Sequence, residues 1–335
     1  AMRLVLGLIL WLCLAWPVAA EPWDNLASPL FRHLTVDHGL PYPIVMSVAQ
    51  DADGFMWFGT PGGLARWDGY RMLVFRHDNQ NPGSLPENIV PTLLVDERGT
   101  LWMGTVSGLV ARYDGTRFIT YRHEGSGLGR LRDLASDGNG GVWAAGQFGL
   151  AHLDLDTGLW RYDDADAGDV SSLLRDRSGA LWLGAPAGLV RRQPDTARFE
   201  LVSMPEEAGR LTVTALFEDQ AGLLWFGTST GRVGTVDPLS GTARLIEALG
   251  PSGQQVTSIV EPRPGVLWIS ELGGGIRELL VGSGTVHSFR HDPTLRDGLA
   301  DDTIMAMTVD RSGLVWAVGR GGVDSHNPRT DGIAT

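Results

Sequence analysis

The chain has 335 residues, 43% of them hydrophobic, and 45 glycines, a balance that favours many short strands and turns and excludes a disordered or long-helical chain. The formal net charge of -12, with no cluster of basic residues, excludes a phosphate-binding footprint, so no nucleic-acid partner is expected.

Residues 1–20 read as a signal peptide. Arg3 supplies the positive start, Leu4 to Ala15 the apolar run, and Val18-Ala19-Ala20 a small-residue cleavage site before Glu21. The run is shorter than the about 20 residues of a membrane span. The only cysteine, Cys13, lies inside it, so residues 21–335 are expected to hold no disulfide, no thiol nucleophile and no thiolate metal site. Next comes Leu30 to Val36, an apolar-alternating stretch that reads as a strand with no local partner.

From there the chain repeats. Trp57, Trp102, Trp143, Trp182, Trp225, Trp268 and Trp316 are separated by 45, 41, 39, 43, 43 and 48 residues, the length of a four-stranded propeller blade. Three residues before each tryptophan stands a glycine, from Gly54 to Gly313, and six before it an aspartate in every copy but the sixth, where Pro262 stands. An aspartate that accepts turn amides, followed by a glycine free to take positive φ, predicts a tight hairpin turn. Six residues after each tryptophan a second glycine (Gly63, Gly108, Gly149, Gly188, Gly231, Gly274, Gly322) predicts a second turn. The first strand of each copy, such as Ile89 to Val95, is apolar throughout and reads as buried on both faces, and segments such as Phe118 to Tyr121 and Val286 to Phe289 read as fourth strands. The tryptophans themselves read as blade-to-blade packing, because a ligand platform needs no seven copies.

The last copy, ending soon after Val323, supplies only three strands, so Leu30 to Val36 is expected to become the outer strand of blade seven and close the ring. Phe31-Arg32-His33 matches Phe75-Arg76-His77, Tyr121-Arg122-His123 and Phe289-Arg290-His291 at the ends of fourth strands. The expectation is an all-β, seven-bladed β-propeller over residues 21–335, closed by its N-terminal strand.

The recurring Asp-x-x-Gly-x-Leu-Trp-x-Gly-Thr-x-x-Gly-Leu, most complete from Asp96 to Leu109, resembles the two-component regulator propeller repeat of bacterial sensors, as does the opening Phe31-Arg32-His33-Leu34-Thr35-Val36-Asp37-His38-Gly39-Leu40-Pro41. The resemblance implies a periplasmic sensor that binds a small molecule or glycan. It further implies a β-sandwich, a transmembrane helix in the inner membrane, a histidine kinase or diguanylate cyclase output, and a homodimer of the full-length receptor. None of these follows Thr335, so the chain is expected to be an amino-terminal fragment or a stand-alone periplasmic propeller. Pro262, Ser270 and Val318 depart from the repeat and predict local irregularity in blades six and seven.

Catalytic signals are absent from the sequence. Asp51-Ala52-Asp53-Gly54 is explained by the hairpin turn, and Asp163 to Asp169 lacks a complete calcium loop, so no metal, cofactor or enzymatic activity is expected. The Arg-His pairs read as surface and pairing residues. Alternatives from other classes are a secreted propeller enzyme (lyase or glycosidase) and a protein-docking scaffold. Alignment on the tryptophans places Tyr42, Asn88, Arg130, Asp169, Arg210, Gln255 and Asp302 at the rim of the central channel. They differ from copy to copy, which is what a binding site grafted onto a repeat requires.

Overall fold

In a computed structural model, the structure describes residues 29–122, 127–163, 168–194, 198–205, 211–237 and 240–330. The leader (1–20), His123, Arg210 and most of Asp163 to Asp169 lie outside them.

Seven four-stranded antiparallel sheets follow the tryptophan repeat, one per copy. Blade two, for instance, runs Thr92–Val95, Leu101–Gly104, Val110–Tyr113 and Phe118–Tyr121. The innermost strands touch in cyclic order, and that of blade seven (Ile304–Val309) touches that of blade one (Ser47–Gln50), so the sheets form a closed ring.

The hydrophobic residues gather in seven clusters, one at each seam between neighbouring blades. Trp57 packs with Leu85, Val90 and Met103 of blade two and its approach, and Trp182 packs with Val213 and Phe226 of blade five. Each tryptophan is therefore the plug between its own blade and the next. Burying one such ring removes about 150–250 Å² of surface from water. The strand carrying the tryptophan is the one buried on both faces (Met56–Thr60, Leu181–Ala185 and Val315–Gly319 throughout). The first strands instead alternate, as in Ser47–Gln50, because one of their faces lines the channel. In blade two this strand starts at Thr92, not Ile89, since Pro91 has no N–H to give to the ladder.

The turn aspartate does more than hold the turn. Asp176 Oδ1 accepts from Ala180 N at 2.9 Å while Oδ2 accepts the indole N–H of Trp182 at 2.7 Å. Trp57, Trp102, Trp225 and Trp316 donate likewise to Asp51, Asp96, Asp219 and Asp310 at 2.6–2.9 Å. One carboxylate thus satisfies the turn and the only polar atom of the buried ring. The seven turn glycines all have positive φ, between +75° and +98°.

Two blades solve the same problem differently. In blade three, His152 Nε2 contacts Asp137 Oδ2 at 2.8 Å, and its ring lies 4.4 Å from that of Trp143. In blade six, where Pro262 replaces the aspartate, Glu261 accepts the turn amide of Gly265 at 2.8 Å, and Glu278, on the neighbouring strand, takes the Trp268 indole at 3.0 Å. Blade six carries an extra register shift between Val260 and Arg263, as its departures predict, and its second turn has Gly273 and Gly275 rather than Gly274 at positive φ. Blade seven is regular apart from a one-residue bulge that blades three, five and six share.

The N-terminal segment closes the ring, pairing antiparallel with Gly322–His326. The closing strand is shorter than Leu30 to Val36: it spans Arg32–Leu34, after which Thr35 caps a 3-10 turn over Val36–His38. Its register also differs from the Phe-Arg-His match. Leu34 faces Val323 just as Phe75 faces Leu64, so Leu34, three residues on from Phe31, is the true counterpart of Phe75. The apolar pattern misleads because Phe31 is also buried, but one step earlier, 6.2 Å from Trp268.

Candidate functional site

A channel of about 230 Å³ runs along the axis, lined by residues at or beside all seven innermost strands. Ten residues before each tryptophan stand Ser47, Thr92, Asp133, Ser172, Ala215, Ser258 and Ala306, all of them in its wall. Polar side chains in this wall tie several blades to the next. Ser47 Oγ donates to Val90 O at 3.1 Å, and Asp133 Oδ2 accepts Leu173 N at 2.8 Å. The bulged residues Thr214 and Thr257 donate to Val256 O at 2.7 Å and Ile304 O at 2.8 Å. Asp133 is half-buried in the wall, and loss of hydration there pushes its pKa up to about 6, against two backbone amides that favour the charged form. At this volume the channel is below the usual size of a small-molecule pocket, about 300–1,000 Å³, so a sugar-sized ligand has room only across its mouth.

The six described rim residues all lie on the face that carries the long connections, but their side chains are not equally available. Asn88 Oδ1 accepts His77 N at 2.8 Å and Asp302 Oδ1 accepts His291 N at 2.7 Å. In the same two connections the histidine Nδ1 atoms contact Leu85 O at 2.8 Å and Leu299 O at 2.7 Å. These are matching anchors of two similar loops, which also explains two of the Arg-His pairs. Asp169 forms a two-bond pair with Arg132, at 3.2 and 2.8 Å, that bridges blades three and four. Tyr42, Arg130 and Gln255 are exposed and keep their side chains free of hydrogen bonds among the described residues. Arg210 lies outside the described residues.

Sequence reasoning missed three mouth and channel residues. Asp133 puts a carboxylate where other copies carry hydroxyls or alanine, and Arg132 puts a cation where they carry Met, Pro, Ser or Thr. Phe148, 64% exposed, projects from the second turn of blade three beside Gly129, where other copies carry small or polar residues. The signal for all three was a break in the repeat, visible once the innermost strand is aligned residue by residue.

Asp51 Oδ1 accepts Asp53 N and Phe55 N, and Oδ2 is taken by Trp57, so this aspartate is committed to its turn. Among the described residues no group of three or more metal-binding side chains converges, and no helix is long and apolar enough to cross a membrane.

The family model described as two component regulator propeller matches residues 39–62, 84–107 and 209–230, and each match ends at or within the second turn of its copy. The chain carries two component regulator propeller repeats. Solved structures with the same fold include the extracellular domains of two hybrid two component systems from B. thetaiotaomicron. One has a TM-score of 0.76 at 21% identity, over 89% of this chain and 39% of that one. The other has a TM-score of 0.76 at 20% identity, over 89% of this chain and 42% of that one. The chain thus spans about two fifths of those structures. A streptogramin B lyase has a TM-score of 0.75 at 16% identity, over 92% of this chain and 99% of the lyase. At these identities the likeness is one of fold. No curated protein matches the sequence.

Proposed function

We propose that this chain is the periplasmic ligand-sensing propeller of a bacterial signal-transduction receptor, exported by its leader, and that it binds a small molecule or oligosaccharide across the channel mouth without turning it over. The observation that carries this reading is the contrast between a scaffold repeated seven times and a mouth that differs in every blade, with Tyr42, Arg130, Phe148 and Gln255 presenting aromatic, cationic and amide groups to solvent. Aromatic faces with planar hydrogen-bonding groups suit hydroxyl-rich or acidic ligands. The propeller repeats and the likeness to extracellular domains of two component systems support a sensor role. Under this reading, binding is passed to a membrane helix and an output domain elsewhere in a longer, dimeric protein.

The test is a screen of soluble glycan fragments and small acids by thermal shift with the exported chain. A hit whose affinity falls on Arg130→Ala or Tyr42→Ala, with the melting temperature of the free protein unchanged, supports the site. A hit indifferent to both substitutions rejects it. A lyase or glycosidase is the second reading, favoured by the likeness to the streptogramin B lyase over 99% of that chain. Bond cleavage in any hit would select it.

A further inference from the structure

Three of the connections between blades lie along the outer strand of the blade they lead to. Gly83 O accepts Phe118 N of blade two at 2.9 Å, Asp297 O accepts Phe31 N beside the outer strand of blade seven at 2.8 Å, and Ser203 O accepts Ala243 N of blade five at 3.3 Å. The connections to blades two and seven are the two similar loops anchored by His77 and His291. Under the loop of blade seven the space is filled. His33 faces Asp324, contacts it at 2.6 Å and reaches Arg296 O at 3.3 Å with its other nitrogen, while Asp324 also accepts Ala300 N at 3.1 Å. In blade two the same pair of places holds Thr120 and Ala111, and Pro86, nine residues after His77 as Ala300 is after His291, has no N–H to satisfy. Two large polar side chains thus give way to small ones. A groove of about 960 Å³ remains between the loop and the outer strand of blade two, walled by Asn79, Pro82, Ser84, Thr116, Arg117 and Arg122.

The loop wall is braced from within: Ser84 Oγ accepts Asp78 N at 3.0 Å, and Asn81 Oδ1 accepts Gly83 N at 3.0 Å. The other wall is an edge strand. Phe118 N points outward to Gly83, and the two-residue period of the strand turns the N–H and C=O of Thr120 to the same side, where they have no partner among the described residues. Outward backbone groups at strand spacing beside a fixed wall are what an added extended strand requires. The groove is also flanked by two exposed cations. The Arg122 side chain makes no hydrogen bond among the described residues, and that of Arg117 gives only its Nε, to Asp114 at 3.3 Å. Five residues of strand set these arginines about 17 Å apart. Carboxylates are their natural partners.

We propose that this groove docks an extended acidic peptide segment of a partner protein, which adds as a fifth strand to blade two through Thr120 and sets carboxylates against Arg117 and Arg122. The groove contains none of the rim residues and none of the channel wall, so the site stands apart from the ligand site at the mouth.

The test uses a pool of blocked heptapeptides with Glu at both ends and central positions drawn from Thr, Val, Ile and Tyr. The tightest binder is selected on the immobilised exported chain and titrated by fluorescence anisotropy, and hydrogen exchange of residues 116–122 is followed by mass spectrometry. The expected result is saturable binding that slows exchange in that segment. Affinity should fall about tenfold or more in Thr120→Pro, which removes an outward N–H that the ladder does not use, in Arg122→Glu, and when Lys replaces both terminal Glu. Should Thr120→Pro not fold, Thr120→His takes its place by putting in blade two the ring that fills blade seven. The absence of any saturable binder in the pool, or unchanged affinity in either variant, overturns the proposal.

Discussion

Blade four offers the cleanest measure of what the turn aspartate contributes. Asp176 is 8% exposed, and its carboxylate serves Ala180 N at 2.9 Å and the Trp182 indole at 2.7 Å, both donors belonging to residues with 0% exposure. Asp176→Ala leaves these two donors buried without an acceptor, and each costs about 1–3 kcal/mol. The expected loss is therefore about 4 kcal/mol. Ser178, whose hydroxyl also reaches Asp176 at 2.6 Å, is exposed and can turn to water, so it adds little. A double-mutant cycle with Trp182→Phe isolates the indole bond, because phenylalanine keeps the ring in the seam and removes the donor. A hydrogen bond to a charged acceptor predicts a coupling of about 1.5–3 kcal/mol in urea unfolding. Coupling below about 0.5 kcal/mol would refute the claim that carboxylate and ring form one unit.

Deleting residues 21–37 removes the closing strand and bares the edge of Gly322–His326; the variant is expected to lose cooperative melting and to self-associate on size exclusion, and a sharp monomeric transition would contradict closure. His33 has its pKa raised chiefly by its 2.6 Å bond to Asp324, so its folded value lies above the unfolded one, about 6.5. The resulting stabilisation is full below pH 6.5 and lost as pH rises through the folded value, and His33→Ala should lose more stability at pH 5.5 than at pH 8.5. A pH-independent difference would count against that bond. Asp133 has the same sign, its raised pKa making native stability fall as pH rises from about 4 to 6, and Asp133→Asn should flatten that part of the profile in urea melts.

The ring was legible because its determinants are local and repeated: tryptophan, two turn glycines and an aspartate at constant offsets. What escaped were the partners set by neighbouring strands. The indole bond to aspartate joins residues six apart, yet it depends on how the hairpin folds back, and Glu278 replaces that aspartate from a strand that no offset in blade six singles out. The closing register was misread by three residues because Phe31 and Leu34 are both apolar, and only the pairing with Val323 separates them. Alignment puts Asn88, Asp169 and Asp302 just before the innermost strands, but their engagement with His77, Arg132 and His291 is a three-dimensional fact. Phe148 and Asp133 break the repeat visibly in the sequence, in a second turn and in the channel wall, where an alignment confined to the rim does not look.

Under the proposed function, the mouth of this propeller binds its ligand and does not transform it. This is tested most directly by incubating the exported chain with each compound that raises its melting temperature, then following free compound and products by mass spectrometry while titration calorimetry records affinity. Saturable binding, weakened about fivefold or more by Arg130→Ala, with every compound recovered intact is the predicted result. Catalytic consumption of any bound compound would contradict it.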